Sequence, residues 1–292
     1  MPVTREYGGP SMVAPLRRVL LKQPDEGVAE AARWREFGYH HPPDVAAARR
    51  EHAAFADVLR QAGVEVALAE ERQPERLDSI FATDPAIVTE AGAIIGSPGK
   101  ELRRGEEAAL ARELTGLGVP ILGALSGDAT LEGGDVLRLD ADTLVIARSY
   151  RTNDAGYAQV RALLDGRIRD VLQVHLPHWR GRGEILHLLS LISPVADDVA
   201  LVYAPLLPVP LMELLEARGI ERIEVPDEEF TSHGCNALAI APRRVIMVRG
   251  NPITAQRLRA RGVDVWDYAG DEITHNRDGG PTCLTCCIHR SR

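Results

Sequence analysis

The chain has 292 residues, of which 45% are hydrophobic and 26% charged, and its formal net charge is −8. This composition is typical of a soluble globular protein and excludes long disordered or collagen-like stretches. The acidic balance disfavours binding to nucleic acid, and no apolar stretch is long enough to predict a membrane span.

Five segments have apolar residues at helical spacing and an acid, asparagine or proline near the first turn, which predicts α-helices. They comprise residues 44–62, 106–117, 154–164, 210–218 and 253–261. A glycine follows each helix, where it can adopt the left-handed conformation that ends a helix, and a β-branched run then begins a strand. The five glycines are Gly63, Gly118, Gly166, Gly219 and Gly262.

The helix–glycine–strand unit recurs at intervals of roughly 45 to 55 residues, which favours a repeated α/β architecture. An ordinary α/β sheet, in which this order is also common, remains the alternative. The proline-rich stretches at 41–43 and 207–210 are too short to be linkers, so we predict a single domain over residues 1–292.

Asp78 and Asp84 frame a segment, DSIFATD, that is typical of the edge of a strand. On an extended segment the two acids share one face, because side chains alternate with period two. Inward-facing acids on a strand usually bind something. A solvated strand end with an Asp-Pro turn is the alternative.

Four further motifs each have a simple structural explanation. Arg103 belongs to a charged helix start, and Glu132 begins a Glu-Gly-Gly-Asp stretch that is compatible with a hairpin turn. Arg151 lies in a Ser-Tyr-Arg-Thr-Asn segment whose last residue, Asn153, is a good helix N-cap. His187 stands in an apolar run, where a histidine belongs to the core more often than to a catalytic site.

Near the C-terminus, two glycines precede Cys283, and such a turn lets the backbone approach a ligand closely. A cysteine at this place can be a nucleophile. The alternatives are inert buried cysteines, or a zinc site made of Cys283, Cys286, Cys287 and His289 with Cys235 as an outside ligand. This spacing is no framework for a secreted disulfide protein, and no signal-peptide pattern opens the sequence, so we expect a reducing cytoplasm.

Taken together and in this order, the motifs resemble those of the guanidino-group-modifying penteins, most of all the dimethylarginine dimethylaminohydrolase branch. That branch has a D-S-V-F-V-E-D type segment, then D/E-G-G-D, S-x-R-T-N, H-L and D-G-x-x-T-C segments. The matches here extend from Asp78 to Cys283. The resemblance implies an α/β propeller of five pseudo-repeats, which agrees with the five helix–glycine–strand units.

The resemblance also implies the roles of the catalytic residues. Cys283 attacks the guanidinium carbon, His187 protonates the departing amine and then takes a proton from water, and Glu132 orients the imidazole. Asp84 and Asp278 clamp the guanidinium, because planar N–H forks match carboxylates.

The remaining implied contacts hold the amino-acid part of the substrate. Arg103 and Arg151 bind the α-carboxylate, and Asp78 takes the α-amino group. The family pattern has Glu where this chain has Thr83, which puts N-methyl specificity in doubt. Residues 23–43 are a candidate lid over the site, with an ordinary surface loop as the alternative.

We therefore predict a hydrolase of the C–N bond of Nω-methylated arginine, which yields citrulline and an alkylamine without metal or cofactor. Amidinotransfer to an amine and arginine deimination are the nearest rivals, since they use the same nucleophile, histidine and carboxylates. A catalytically dead binding protein and a zinc-binding regulatory module are more distant ones. The expected partner is a small guanidine compound, and a homo-oligomeric state stays open.

Overall fold

The computed structural model describes residues 6–25, 32–183 and 186–291 of the chain. Its helices are α1 (Trp34–Phe37), α2 (Val45–Gln61), α3 (Glu106–Gly116), α4 (Asp154–Leu163), α5 (Val209–Ala217), α6 (Asp227–Phe230) and α7 (Pro252–Arg259). The first eight strands are β1 (Leu16–Leu21), β2 (Glu65–Leu68), β3 (Ala86–Thr89), β4 (Gly92–Ile95), β5 (Ile121–Ala124), β6 (Val136–Arg138), β7 (Thr143–Arg148) and β8 (Asp170–His175). The other seven are β9 (Ile192–Ala196), β10 (Val199–Val202), β11 (Glu221–Glu224), β12 (Ala237–Ala241), β13 (Arg244–Val248), β14 (Asp264–Tyr268) and β15 (Cys286–Arg290).

The strands form five three-stranded sheets that repeat one connection pattern. In each sheet the middle strand is antiparallel to one neighbour and parallel to the other; β4, for example, pairs antiparallel with β3 and parallel with β5, which follows α3. The parallel step needs a crossover, and a helix supplies it in every sheet. This repetition confirms the predicted α/β propeller with five pseudo-repeats.

The first sheet joins the two ends of the chain. Its middle strand, β1, runs parallel to β2 and takes its antiparallel partner from β15, with Leu20 opposite Cys286. The last strand therefore completes the first repeat. As a result, a loop near the C-terminus lies beside loops from the first half of the sequence.

The five predicted helices are confirmed as α2, α3, α4, α5 and α7, with ends that differ by only a few residues. The glycine after each of them has a positive φ, between 66° and 84°. A Cβ at any of the five would meet no atom within 4 Å. Glycine is therefore required there by the left-handed backbone, since the space around it is open.

The apolar core is built mainly of leucine, valine, isoleucine and alanine. The middle strands β4 and β10 are buried along their whole length, as expected for strands covered on both faces. Within the described residues, no helix combines the length and the apolar character needed to cross a bilayer.

Candidate active site

A cavity of about 220 Å³ opens at one end of the repeats. Five of the residues singled out in the sequence line it, namely Asp84, Arg103, His187, Asp278 and Cys283. Trp179, Phe230 and Phe81 form an aromatic part of its wall. The cavity therefore has acidic, basic, aromatic and thiol groups within reach of one small molecule.

The repeat explains why distant residues meet here. The first strand of each repeat is preceded by a segment that contributes to the site: 78–84 before β3, 132–135 before β6, 187–190 before β9, 233–236 before β12 and 278–283 before β15. Five equivalent segments converge at the same end of a propeller. Residues that are far apart in sequence thus become neighbours.

His187 is held by a buried carboxylate. Its Nε2 atom lies 2.8 Å from Oε2 of Glu132. The Glu132 side chain is fully buried, and its other oxygen, Oε1, accepts a bond from the Gly99 amide. The ring packs against the chain at Gly134, where a Cβ would lie 2.4 Å from Nδ1 of His187. A side chain at position 134 would displace the imidazole.

Charge around His187 favours its protonated form. Burial lowers the pKa of His187, but the carboxylates of Asp84, Asp135 and Glu132 outweigh burial and raise the pKa to about 9. Burial opposes ionisation of Glu132 too, yet its bond to His187 and the charge of Arg151 bring the pKa of Glu132 well below its usual range. At neutral pH the pair is an imidazolium beside a carboxylate.

Asp84 is anchored on both oxygens. Oδ1 accepts a bond from the Gly134 amide at 3.0 Å, and Oδ2 accepts one from Nη1 of Arg103 at 2.5 Å. Arg103 donates its Nε and Nη2 protons to Glu106, at 2.9 and 2.7 Å. Arg103 thus reaches the cavity, but its guanidinium is already held by two carboxylates.

The structure places two other predicted substrate contacts away from the cavity. Arg151 pairs with Glu132 at 3.3 Å and lines a separate surface pocket beside Tyr150. Asp78 is fully buried, and its carboxylate binds Arg277 at 2.7 and 2.9 Å and Lys100 at 2.6 Å. Neither side chain presents a free charge to a ligand in this arrangement.

The predicted strand over residues 78–84 is wrong. Leu77–Ile80 is a short 3₁₀-helix, the chain turns before β3, and the Asp78 carbonyl accepts the Phe81 amide at 3.0 Å. Tertiary contacts override local pattern here, because Asp78 is drawn inward by Arg277 and Lys100 while Asp84 is drawn to Arg103. The two acids therefore have different partners and do not share a strand face.

We expect Asp78→Asn to destabilise the protein by about 3 kcal/mol, because it leaves Arg277 and Lys100 buried without their counter-charge. These cations hold the pKa of Asp78 well below its usual range, against the opposing effect of burial. Its stabilisation is therefore complete at neutral pH and is lost as the pH falls through that lowered pKa. Urea denaturation at pH 7 measures the loss. Asp57→Asn, at an exposed pair with Arg60, is the matched control and should leave the midpoint unchanged; an equal effect of both variants would contradict the prediction.

Asp278 occupies the cavity wall between two imidazoles. Its carboxylate lies 3.0 Å from Nε2 of His40 and 3.6 Å from Nε2 of His233, and its backbone is left-handed, with φ of 59°. Burial opposes ionisation, but the two histidines lower the pKa of Asp278.

Of the predicted lid at 23–43, residues 26–31 lie outside the described residues. The described part brings His40 to the cavity and buries Phe37.

Cys283 and Asp84 line the same cavity. Burial of the sulfur, together with the Asp84 carboxylate, raises the pKa of the thiol to about 12, although Arg103 and the side chain of Asn236 act in the opposite direction. The free protein therefore carries a neutral thiol at physiological pH. A cation that enters beside it favours the thiolate.

Comparison with known proteins identifies the family to which the chain belongs. A model of the family described as "N,N dimethylarginine dimethylhydrolase, eukaryotic" matches residues 34–289. The chain belongs to this dimethylarginine dimethylaminohydrolase family. The match includes every cavity residue that the sequence predicted.

Individual relatives agree with the membership. An N(G),N(G)-dimethylarginine dimethylaminohydrolase of Pseudomonas aeruginosa is 29% identical over 245 residues, which cover 83% of this chain and 89% of the relative. A solved structure of the enzyme from that organism, a cysteine-to-serine mutant complexed with citrulline, superposes with a TM-score of 0.76 at 25% identity and covers 93% of this chain and 98% of that one. An arginine deiminase of Listeria welshimeri is 28% identical over 267 residues, which cover 75% of this chain and 64% of the relative.

Several cavity residues of this family member were missed in the sequence. Asn236, Arg277 and Trp179 line the cavity beside the predicted groups. For Asn236 a signal existed, because it immediately precedes β12 as Asp135 precedes β6. His40 belongs to residues 23–43, the predicted candidate lid, and it lines the cavity.

The C-terminal cysteines do not gather around a common point. Cys286 and Cys287 are consecutive residues of β15, so their side chains point to opposite faces. Within the described parts of the chain, the group whose donor atoms have metal-ligand spacing is Asp84, Glu132 and His187. The zinc alternative based on Cys283, Cys286 and Cys287 therefore has no geometric support.

Proposed function

We propose that this protein hydrolyses Nω-methylated arginine to citrulline and an alkylamine through a covalent intermediate on Cys283. The observation that carries the proposal is the convergence of Cys283, the His187–Glu132 pair and Asp84 on one cavity. A nucleophile, a base and a group that orients the base are the parts that covalent catalysis requires.

The charges of the site fit a cationic substrate. Asp84 and Asp278 offer carboxylates in the cavity wall, and planar guanidinium groups form strong charge-assisted bonds with carboxylates. The same cation stabilises the thiolate of Cys283, which burial otherwise disfavours. Binding of the guanidinium therefore prepares the nucleophile, and the thiol proton leaves to solvent.

The chemistry then proceeds in two steps. The Cys283 sulfur forms a bond to the guanidinium carbon, and the C–N bond to the alkylamine breaks as imidazolium His187 gives that nitrogen a proton. Water next attacks the same carbon while neutral His187 takes one of its protons. The C–S bond then breaks to release the thiolate, and the remaining hydroxyl proton leaves to solvent as the product becomes neutral citrulline. Glu132 holds the imidazole in place through both steps.

The amino-acid end of the substrate needs contacts that the ligand-free arrangement does not offer. We propose that Arg103 binds the α-carboxylate by turning Nη1 away from Asp84, which frees that oxygen for the guanidinium. Arg151 and Asp78 then act through their partners, Glu132 and Arg277. The single-domain organisation and the cytoplasmic location remain predictions, and the oligomeric state stays open.

A product assay tests the proposed reaction. We expect citrulline and dimethylamine from asymmetric dimethylarginine at a higher kcat/KM than citrulline and ammonia from arginine. Release of dimethylamine would show that Thr83 is compatible with a methylated substrate. A second set of reactions contains a tenfold excess of an amine acceptor such as glycine.

The outcomes separate the rivals. Turnover of arginine alone would replace the proposal with arginine deimination, for which a deiminase relative exists. An amidino group found on the added amine would replace it with amidinotransfer. No product from any guanidine would overturn it.

A further inference from the structure

Asn236 lies directly against the sulfur of Cys283. It immediately precedes β12, its side chain is buried, and it lines the cavity. Its Nδ2 atom donates to Sγ of Cys283 at 3.4 Å. We propose that Asn236 is a further catalytic residue, which donates a hydrogen bond to the Cys283 sulfur and stabilises its thiolate. This inference rests on the proposed role of Cys283 as the nucleophile.

The orientation of the Asn236 carboxamide is fixed by the hydrogen bond that its oxygen accepts. Oδ1 of Asn236 accepts the backbone N–H of Thr282 at 3.0 Å, and an N–H donor requires an oxygen there. The NH₂ group must therefore face the sulfur. The amide is also packed against Gly280, where a Cβ would lie 2.4 Å from Cγ of Asn236. The loop that carries the nucleophile thus positions the donor.

A neutral hydrogen-bond donor beside the Cys283 sulfur offsets the unfavourable charges around it. The Asp84 carboxylate disfavours charge on the sulfur, and the cationic Arg103 is already paired with Asp84 and Glu106. Asn236 adds a donor that carries no charge and therefore does not repel a cationic substrate. The titratable groups that share the cavity with Cys283 are Asp84, Arg103, Arg180, His187, His40, His233, Arg277 and Asp278.

The sulfur carries negative charge twice in the reaction. The thiolate exists before it bonds to the guanidinium carbon, and it re-forms when the C–S bond breaks in the second step. A hydrogen bond to the charged form stabilises both states. Loss of the donor should therefore slow both formation and breakdown of the covalent intermediate.

The test compares two substitutions at one position. Asn236→Asp keeps an oxygen for the Thr282 amide but replaces the donor with a carboxylate beside the sulfur, and Asn236→Ala removes both bonds without adding charge. Ser193→Ala is the matched control, because its hydroxyl bonds to Cys235 and Ala237 on either side of Asn236 without touching the sulfur. All four proteins are first compared by thermal unfolding.

Two measurements then follow the ionisation of Cys283. The first is the rate of alkylation of Cys283 by iodoacetamide between pH 6 and 10, read by mass spectrometry without substrate. The second is the pH profile of kcat, which reports the ionisation of Cys283 in the substrate complex, where the bound cation favours the thiolate. We expect Asn236→Ala to be alkylated about tenfold more slowly at each pH, and Asn236→Asp at least as slowly because its carboxylate also disfavours charge on the sulfur. The rising limb of kcat should move up by about one pH unit.

The outcomes separate this inference from the proposed function. Alkylation rates and a rising limb equal to those of the wild type would overturn the role of Asn236, even if the enzyme makes citrulline. A lower plateau with an unmoved limb, shared with Ser193→Ala, would also overturn it, because a loosened loop does not change the pH midpoint. Full activity of a Cys283→Ser variant would refute the proposed function instead, while the alkylation rates of Cys283 would still report on the hydrogen bond.

Discussion

Cys283→Ser should reduce citrulline formation by about a thousandfold or more, because a serine hydroxyl in this cavity has no group that converts it into a strong nucleophile. His187 is predominantly protonated at neutral pH, since its pKa is raised to about 9, so it is a poor base for a serine. A thiol needs less help, since a nearby cation suffices to favour the thiolate. Citrulline formation under saturating substrate measures the effect. The same preparation should lose covalent labelling by a haloacetamidine at position 283.

Cys287→Ser is the matched control for this substitution. Cys287 lies on β15, four residues after the nucleophile, and it does not line the active-site cavity. We expect this variant to keep wild-type kcat and labelling. Full activity of Cys283→Ser, or equal losses in both variants, would contradict the assignment of the nucleophile.

Glu132→Gln should lower kcat by about a hundredfold above pH 8 and by less at pH 6. Burial tends to lower the pKa of His187, and the carboxylates of Asp84, Asp135 and Glu132 together raise it to about 9. Removal of one carboxylate moves this pKa down toward its ordinary value. The general acid must be protonated to release the amine, so the descending limb of the pH–rate profile moves to lower pH.

The experiment is a kcat profile between pH 5.5 and 9.5. Glu113→Gln is the matched control. Glu113 lies on α3, its carboxylate accepts the Glu70 and Glu71 amides, and it does not line the active-site cavity. We expect its profile to follow the wild type. A Glu132→Gln profile that is lower at every pH, with an unmoved descending limb, would refute the electrostatic role of Glu132. Thermal unfolding is needed alongside, since Arg151 also loses its charged partner.

Local sequence determined the repeated unit of the fold. Each helix ends where a glycine can take a positive φ, and this choice depends on the backbone of that one residue. Helix periodicity and the N-cap at Asn153, whose Oδ1 accepts the Gly156 amide at 2.8 Å, are equally local. These features could be predicted because their causes lie within a few residues along the chain.

The chemical identities at the site were also present in the sequence. Asp84, His187, Asp278 and Cys283 were chosen from their motifs, and the structure brings all four to one cavity. Five repeats account for this convergence, since each contributes the segment before its first strand. The closing pair of β1 and β15 then places Cys283 beside the segments of the earlier repeats.

Tertiary structure alone decided which charged groups face a ligand and which face one another. Asp78 was expected in the substrate site, but a fully buried carboxylate needs counter-charges, and Arg277 and Lys100 supply them. Arg103 likewise binds Asp84 and Glu106. Asn236 has no motif of its own, and its contact with Cys283 spans 47 residues of sequence. Charge pairing and donor placement depend on neighbours in space, so the sequence by itself determined the repeat and the reactive residue types, and the fold determined their partners.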